Sequence, residues 1–197
     1  MENYLDLAVG TDAMKHQQRR GSRDGYQNMA ETPAPAGLSI DEAEFLTARD
    51  SFYIASVGEE GWPYVQHRGG APGFIRVIDA THIAWAERSG NRQFISAGNL
   101  DHDDRVSIIA VDYPNRQRLK LYGHARFDPT PTPDQLTAFG VDGRIEGVMN
   151  VEVVAFAWNC PKYIVPRYTA DEVRAVVEPM QKRIAELEQQ FGSPVDR

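Results

Sequence analysis

A chain of 197 residues, 42% hydrophobic and 25% charged, is sized for one domain with a substantial core. Its 28 acidic against 21 basic side chains leave a formal charge of -7, which opposes general attraction to nucleic acid. No apolar run approaches the roughly 20 residues of a membrane span, and the single cysteine, Cys160, leaves no pair for a disulfide and no set for a cysteine-built zinc site.

The chain starts "MENYLDLAVGTDAMKHQQRR", with acids where a secretory signal would carry basic residues and without a continuous apolar segment. A reducing, cytoplasmic location is therefore expected. Residues 1–37 are polar, include the basic patch "KHQQRRGSR" and end in "ETPAPAG"; they read as an arm laid over the domain. In "LSIDEAEFLTARD", Ser39 followed three residues later by Glu42 is a capping box, in which each side chain satisfies an orphan amide of the first helical turn. A short helix is predicted there.

From Ser51 the pattern changes to strands. "SFYIASVG", "PYVQHRGG", "GFIRVID", "THIAWAE", "RVSIIAVDY", "QRLKLYGHARF" and "VMNVEVVAFAW" are short, rich in β-branched and aromatic residues, and bounded by turns such as "GEEGWP", "GGAPG" and "DYPNR". Two stretches, "GNRQFISAGNLDHDD" and "TPTPDQLTAFG", read as helical. The predicted fold is mainly β (β+α): a barrel of antiparallel strands over residues 38–168 with a few peripheral helices.

Residues 169–197 close the chain with an amphipathic helix, its stripe formed by Val173, Val177, Met180, Ile184, Leu187 and Phe191 at alternating steps of three and four. Pro179 lies inside it and predicts a kink or a break into two pieces. The stripe could cover the barrel of its own chain or reach across to a second subunit.

Two segments carry an anion-binding character. "QHRGGAPGFIRVID", residues 66–79, holds His67, Arg68 and Arg76 around a glycine-rich turn, and "ERSGNRQF", residues 87–94, leads into a predicted helix. Ser89, Gly90 and Asn91 would offer amides at that helix N-terminus, with Arg92 beside them. An arginine fork binds phosphate through two hydrogen bonds, and glycines let a ligand approach the backbone. Taken singly, each arginine could instead serve a surface ion pair; together they suggest a phosphate cradle.

Here the chain resembles the FMN-binding split barrels similar to pyridoxamine 5'-phosphate oxidase, over roughly residues 40–170. The resemblance rests on "PYVQHRGGAPGFIRVID", on the block from "IAWAERSGNRQF" to "LYGHARF", and on "WNCPKYIVPR". It implies a split barrel and a homodimer with FMN at the interface. It further implies cofactor contacts from His67, Arg68, Arg76, Arg92 and Gln93; the neighbouring Val77, and Ser89 and Asn91 through their place at the helix N-terminus, join them as cofactor-binding candidates. Arg118 matches a contact supplied by the second subunit, and Trp158 with Arg167 resemble the pair that closes the site. Where the family often has two basic residues at the phosphate turn, this chain has Arg92 and the neutral Gln93. The residue set that holds the substrate phosphate in the vitamin B6 oxidases has no clear equivalent in "RFDPTPTPDQLTAFGVDGRIEG", which argues against that particular activity.

The implied function is oxidoreduction of an unidentified small molecule by hydride transfer through flavin N5. Flavin chemistry needs no protein nucleophile, and none of the serines sits in a G-x-S-x-G elbow. His67 is the candidate proton donor, since an imidazole titrates near neutral pH. His82, His102 and His124 lack metal-ligand spacing, and no metal is expected. Trp85 reads as a core residue and His124 as a surface one. Two alternatives stay open: a non-catalytic FMN-binding or sensing module, and the same barrel holding a deazaflavin or haem.

Overall fold

The computed structural model describes residues 1–140, 144–158 and 161–191; Cys160 lies outside them. The chain divides into two compact units. One comprises Met1–Asp112 with Gln117–Pro161, and the other Tyr113–Arg116 with the described part of Lys162–Arg197.

The first unit is built on seven antiparallel strands, β1 (Ser51–Val57), β2 (Pro63–Gly69), β3 (Arg76–Val77), β4 (His82–Arg88), β5 (Arg105–Asp112), β6 (Gln117–Asp128) and β7 (Ile145–Trp158), in the spatial order β2-β1-β5-β6-β7-β4-β3. This is the mainly β, antiparallel architecture expected. The ladder does not close, because β2 and β3 are its two edges. Of the predicted strand "GFIRVID" only Arg76 and Val77 pair, with Ala84 and Ile83 of β4, so the remainder of β4 has a strand neighbour on one side only.

Alternation places the core. Along β5, Val106, Ile108 and Ala110 are buried while the residues between them are partly exposed, the period-two signature of a half-buried strand. They meet Phe52, Leu121 and Trp85 in one cluster. Trp85, 1% exposed, is the core residue its alternating strand predicts. Each buried Val, Ile, Leu or Phe of this cluster contributes roughly 1.5–3 kcal/mol by leaving water. The β6–β7 register shifts between Tyr122 and Gly123. A Cβ on Gly123 would stand 2.5 Å from the Glu152 carbonyl oxygen, so only glycine lets the two strands approach at this bulge.

Helix α4 (Ile40–Thr47) starts with the predicted capping box. Glu42 accepts from Ser39 N at 2.9 Å and Ser39 Oγ at 2.6 Å, and its other oxygen accepts from Trp158 Nε1 at 2.6 Å. Burial alone would raise the Glu42 pKa; the bonds from Ser39 and Trp158 outweigh it and hold the carboxyl below its ordinary value. At the far end of α4, Arg49 pairs with the buried Asp112 at 2.8 Å.

The N-terminal residues form three short helices, α1 (Tyr4–Ala8), α2 (Thr11–Arg20) and α3 (Arg23–Ala30). Asn3 caps α1 through Leu5 N and donates to the carbonyls of Ala30 and Thr32, folding this segment back on itself. Glu2 N donates to Val154 O at 2.7 Å, and the buried Tyr4 stacks on Tyr122 with ring centroids 4.7 Å apart. Helices α5 (Ile95–His102) and α6 (Pro133–Phe139) fall on the two predicted interruptions.

The second unit carries α7 (Ala170–Phe191), begun by Thr169 and Glu172 in another reciprocal cap. It runs through Pro179 as one helix, which corrects the expected break: the missing N–H costs one bond on one flank, and the turns on either side keep theirs. Among the described residues no helix is long and apolar enough to cross a membrane.

Candidate functional site

Strand β2 presents Tyr64, Gln66 and Arg68 to one side and Val65, His67 and Gly69 to the other, because successive side chains of a strand alternate. Arg68 points inward, and its Nε donates to Glu87 Oε1 of β4 at 2.7 Å, with both side chains 15% exposed. The same oxygen accepts from Trp85 Nε1 at 2.7 Å. This carboxylate therefore joins β2 to β4, which share no backbone pairing.

Between these strands lies a cavity of about 320 Å³, within the usual range for small-molecule sites. Gln66 and Arg68 line it from β2, Glu87 and Arg88 from β4, Phe127 from β6, and Glu146 and Met149 from β7. The loop after β4 and the first turn of α5 complete the wall.

That loop has an unusual backbone. Arg92 (φ 57°) and Phe94 (φ 51°) both occupy the left-handed region, which costs a non-glycine residue about 1–2 kcal/mol and in native proteins gathers at functional sites. Asn91 holds the turn by accepting from Gln93 N at 3.1 Å. Ser89 N donates to Arg144 O, and Ser89 Oγ donates to Glu146 Oε1 at 2.7 Å. Arg92 and Arg144 each approach the same Glu146 oxygen to 3.6 Å. The Ser89 hydrogen bond, and then the two guanidinium charges, hold the Glu146 carboxyl below its ordinary pKa.

The helix begins at Ile95, not at residues 89–91 as the sequence suggests, so the first-turn amides, free among the described residues, belong to Ile95, Ser96 and Ala97. All three residues line the cavity. Phe94 precedes them without a capping side chain, which leaves these amides to a ligand or water. The helix is anchored from behind: Ser96 Oγ donates to Gln66 at 2.7 Å and Asn99 Nδ2 to Ser56 at 2.9 Å.

Charge across the cavity is uneven. Arg68, Arg88 and Arg92 face it against Glu87 and Glu146, and both carboxylates already accept hydrogen bonds from protein donors. Arg88 makes no ion pair among the described residues. Guanidinium groups beside helix N-terminal amides form a donor set that fits a phosphate, while Tyr64, Phe74 and Phe127 supply apolar wall for a ring system.

The cavity thus collects Arg68, Asn91, Arg92 and Gln93 from the predicted set, with Ser89 behind its rim. It does not collect Arg76 and Val77. Arg76 is exposed on β3 and Val77 packs against the core, since the short pairing with β4 turns this segment away. His67 reaches only the rim: its imidazole is exposed on the opposite face of β2 from Arg68 and packs edge-on against Tyr53 at 5.4 Å. Two of the glycines serve the fold. A Cβ on Gly70 would stand 2.6 Å from the Phe74 ring, and Gly73 adopts φ 92° in the turn.

Arg118 and Trp158 lie away from the cavity. Arg118 Nε is buried and has no hydrogen-bond partner among the described residues; Trp158 is tied to Glu42 and packs edge-on against Phe45. Arg167, in the second unit, lies over the Tyr113 ring at 4.8 Å.

Residues 39–149 match the model of the pyridoxamine 5'-phosphate oxidase family. The chain belongs to that family. Solved structures at a TM-score of 0.50 agree on the fold. HupZ of Group A Streptococcus superposes with a TM-score of 0.50 at 16% identity, covering 66% of this chain and 100% of HupZ. A putative pyridoxamine 5'-phosphate oxidase from Lactobacillus delbrueckii gives 0.49 at 17%, covering 61% and 93%. An FMN-binding protein from Syntrophomonas wolfei gives 0.48 at 10%, covering 73% and 97%. No curated protein sequence matches the chain.

Family membership makes the open ladder of this sheet a split barrel, and the cavity occupies the split. Gln66, Glu87, Arg88, Phe94, Ser96, Phe127 and Glu146 also line it, and sequence reasoning did not single them out. For Glu87 and Arg88 the signal was at hand, since they directly precede the "SGNRQF" turn.

Proposed function

We propose that this chain is a flavoprotein that binds FMN in the split of the barrel and acts as an oxidoreductase on a small molecule in the cytoplasm. The observation that carries this reading is the cavity's surplus of phosphate donors: three arginines and the first-turn amides of α5, set against two carboxylates that are already bonded. Family membership supports the same cofactor.

In this reading Arg88, Arg92 and the amides of Ile95 to Ala97 hold the phosphate. Arg68, oriented by Glu87, places its remaining N–H groups along the cavity wall. When bound, the flavin supplies the two-electron chemistry, and the protein orients it and shields it from water. Tyr64, Phe74 and Phe127 exclude solvent from the ring. The homodimer belongs to the proposal as well: Arg118 and Trp158, which stand off the cavity in their own protomer, would serve the site of a second subunit together with Arg167.

The test is titration of FMN into cofactor-free protein, read by quenching of flavin fluorescence. Arg92→Ala is expected to weaken binding about 10- to 100-fold, the worth of one or two charge-assisted hydrogen bonds. Unchanged affinity in Arg88→Ala and Arg92→Ala together would overturn the phosphate assignment. Reduction of the bound flavin by NADH or NADPH, followed by transfer to an acceptor, separates an oxidoreductase from a passive flavin carrier.

A further inference from the structure

Helix α7 poses a problem of its own, independent of the flavin reading. None of its 22 residues is buried. Val173, Val177, Met180, Ile184, Leu187 and Phe191 expose between 36% and 67% of their surface. A helix of this length holds its shape mainly by packing an apolar face. This one also carries four β-branched residues, Val173, Val176, Val177 and Ile184, and an internal Pro179, all of which lower its intrinsic helicity. It therefore needs a cover.

The shape of the stripe says what covers it. The steps of 4, 3, 4, 3 and 4 between the six residues keep a strict 3.5-residue period across the helix. Val177, Ile184 and Phe191 take heptad position a, and Val173, Met180 and Leu187 take d. A helix laid on a sheet uses a wider face that includes e or g. Here e holds Arg174, Gln181 and Glu188, and g holds Val176, Arg183 and Gln190, so only Val176 widens the seam. Pro179 falls at position c, on the outer side, where its missing N–H and ring do not touch a partner.

We propose that α7 pairs with α7 of a second copy of this chain as a parallel, in-register two-stranded coiled coil. The composition of the central turns favours that arrangement, with β-branched Val177 and Ile184 at a and unbranched or γ-branched Met180 and Leu187 at d. Charge favours it too. A parallel register brings Arg183 at g beside Glu188 at e of the other helix, twice by symmetry. An antiparallel register would set the two Arg183 side chains against each other.

Disulfide trapping in the full-length chain tests the pairing. Val173→Cys in a Cys160→Ser background places two d-position thiols opposite each other, and mild oxidation is expected to convert most of the protein to a covalent dimer on a non-reducing gel. Leu187→Cys, a second d position, reports independently. Adding Ile184→Glu to the Val173→Cys protein should slow trapping at least tenfold. If the helices were antiparallel, Val173 would face Phe191 of the other helix, about 27 Å from its own counterpart at 1.5 Å per residue, and neither cysteine would trap. Absence of trapping at both positions, from that cause or from α7 lying on its own barrel, overturns the proposal. So does trapping that Ile184→Glu leaves unchanged.

Discussion

Arg68 and Glu87 meet across the opening of the barrel, guanidinium Nε to carboxylate Oε1 at 2.7 Å, where no backbone hydrogen bond joins β2 to β4. Glu87→Ala leaves both Arg68 and Trp85 Nε1 without their acceptor. Breaking one side of a largely buried pair costs about 3 kcal/mol. Urea unfolding should show that loss for Glu87→Ala, and a clearly smaller one for the double change Arg68→Met with Glu87→Leu, which removes both charges and keeps the volume.

Gly123→Ala is expected to destabilise by about 2 kcal/mol, in the range of an overpacked interior. The added methyl would meet the Glu152 carbonyl at 2.5 Å, and backbone cannot swing aside as a flexible side chain would. Thermal unfolding of the variant beside Gly98→Ala, a helical glycine with open space around its Cβ position, separates steric conflict from a general glycine effect.

The Glu42 carboxyl predicts a pH dependence. Its folded pKa is lowered by Ser39 and Trp158 against the opposing effect of burial. The stability it contributes is therefore fully present above the unfolded value of about 4.3 and is lost as pH falls through the folded value. Wild type should exceed Glu42→Gln in unfolding free energy at pH 7, and the difference should shrink as pH falls below about 4. A constant difference down to pH 3 would contradict the assignment.

Tyr4→Ala should cost about 3 kcal/mol by emptying the space over Tyr122. Lys120, which lies over the same Tyr4 ring at 4.8 Å, has its pKa lowered by burial and then by the Arg118 charge. Opening that cover should move the Lys120 pKa back up, a shift readable by NMR titration of its labelled side chain.

The strands were legible because each is a short β-branched run cut by turn residues, and the Ser39 cap because its two partners are three residues apart. Half of the site was legible for the same local reason: the "RSGNRQ" turn is contiguous. Glu146 and Phe127 come to the cavity from distant strands, through pairings that no local pattern encodes. The parity of β2 was not legible in the sequence, for a physical reason. Its apolar Val65 faces outward while Gln66 and Arg68 face in, since what lies inside at that point is a polar cavity and not the core. A hydrophobic alternation rule read there puts His67 and Arg68 on the wrong sides.

Strand β2 ends the ladder on one side, and β4 beyond Ala84 has lost its neighbour on the other. The cavity is thus walled in part by main-chain N–H and C=O groups that no ladder consumes, a surface common to every sequence able to form this sheet. Replacing side chains one by one should lower ligand affinity only to a floor set by those groups. The tuning of what is recognised falls to an element free to vary without disturbing the ladder, the 89–94 turn.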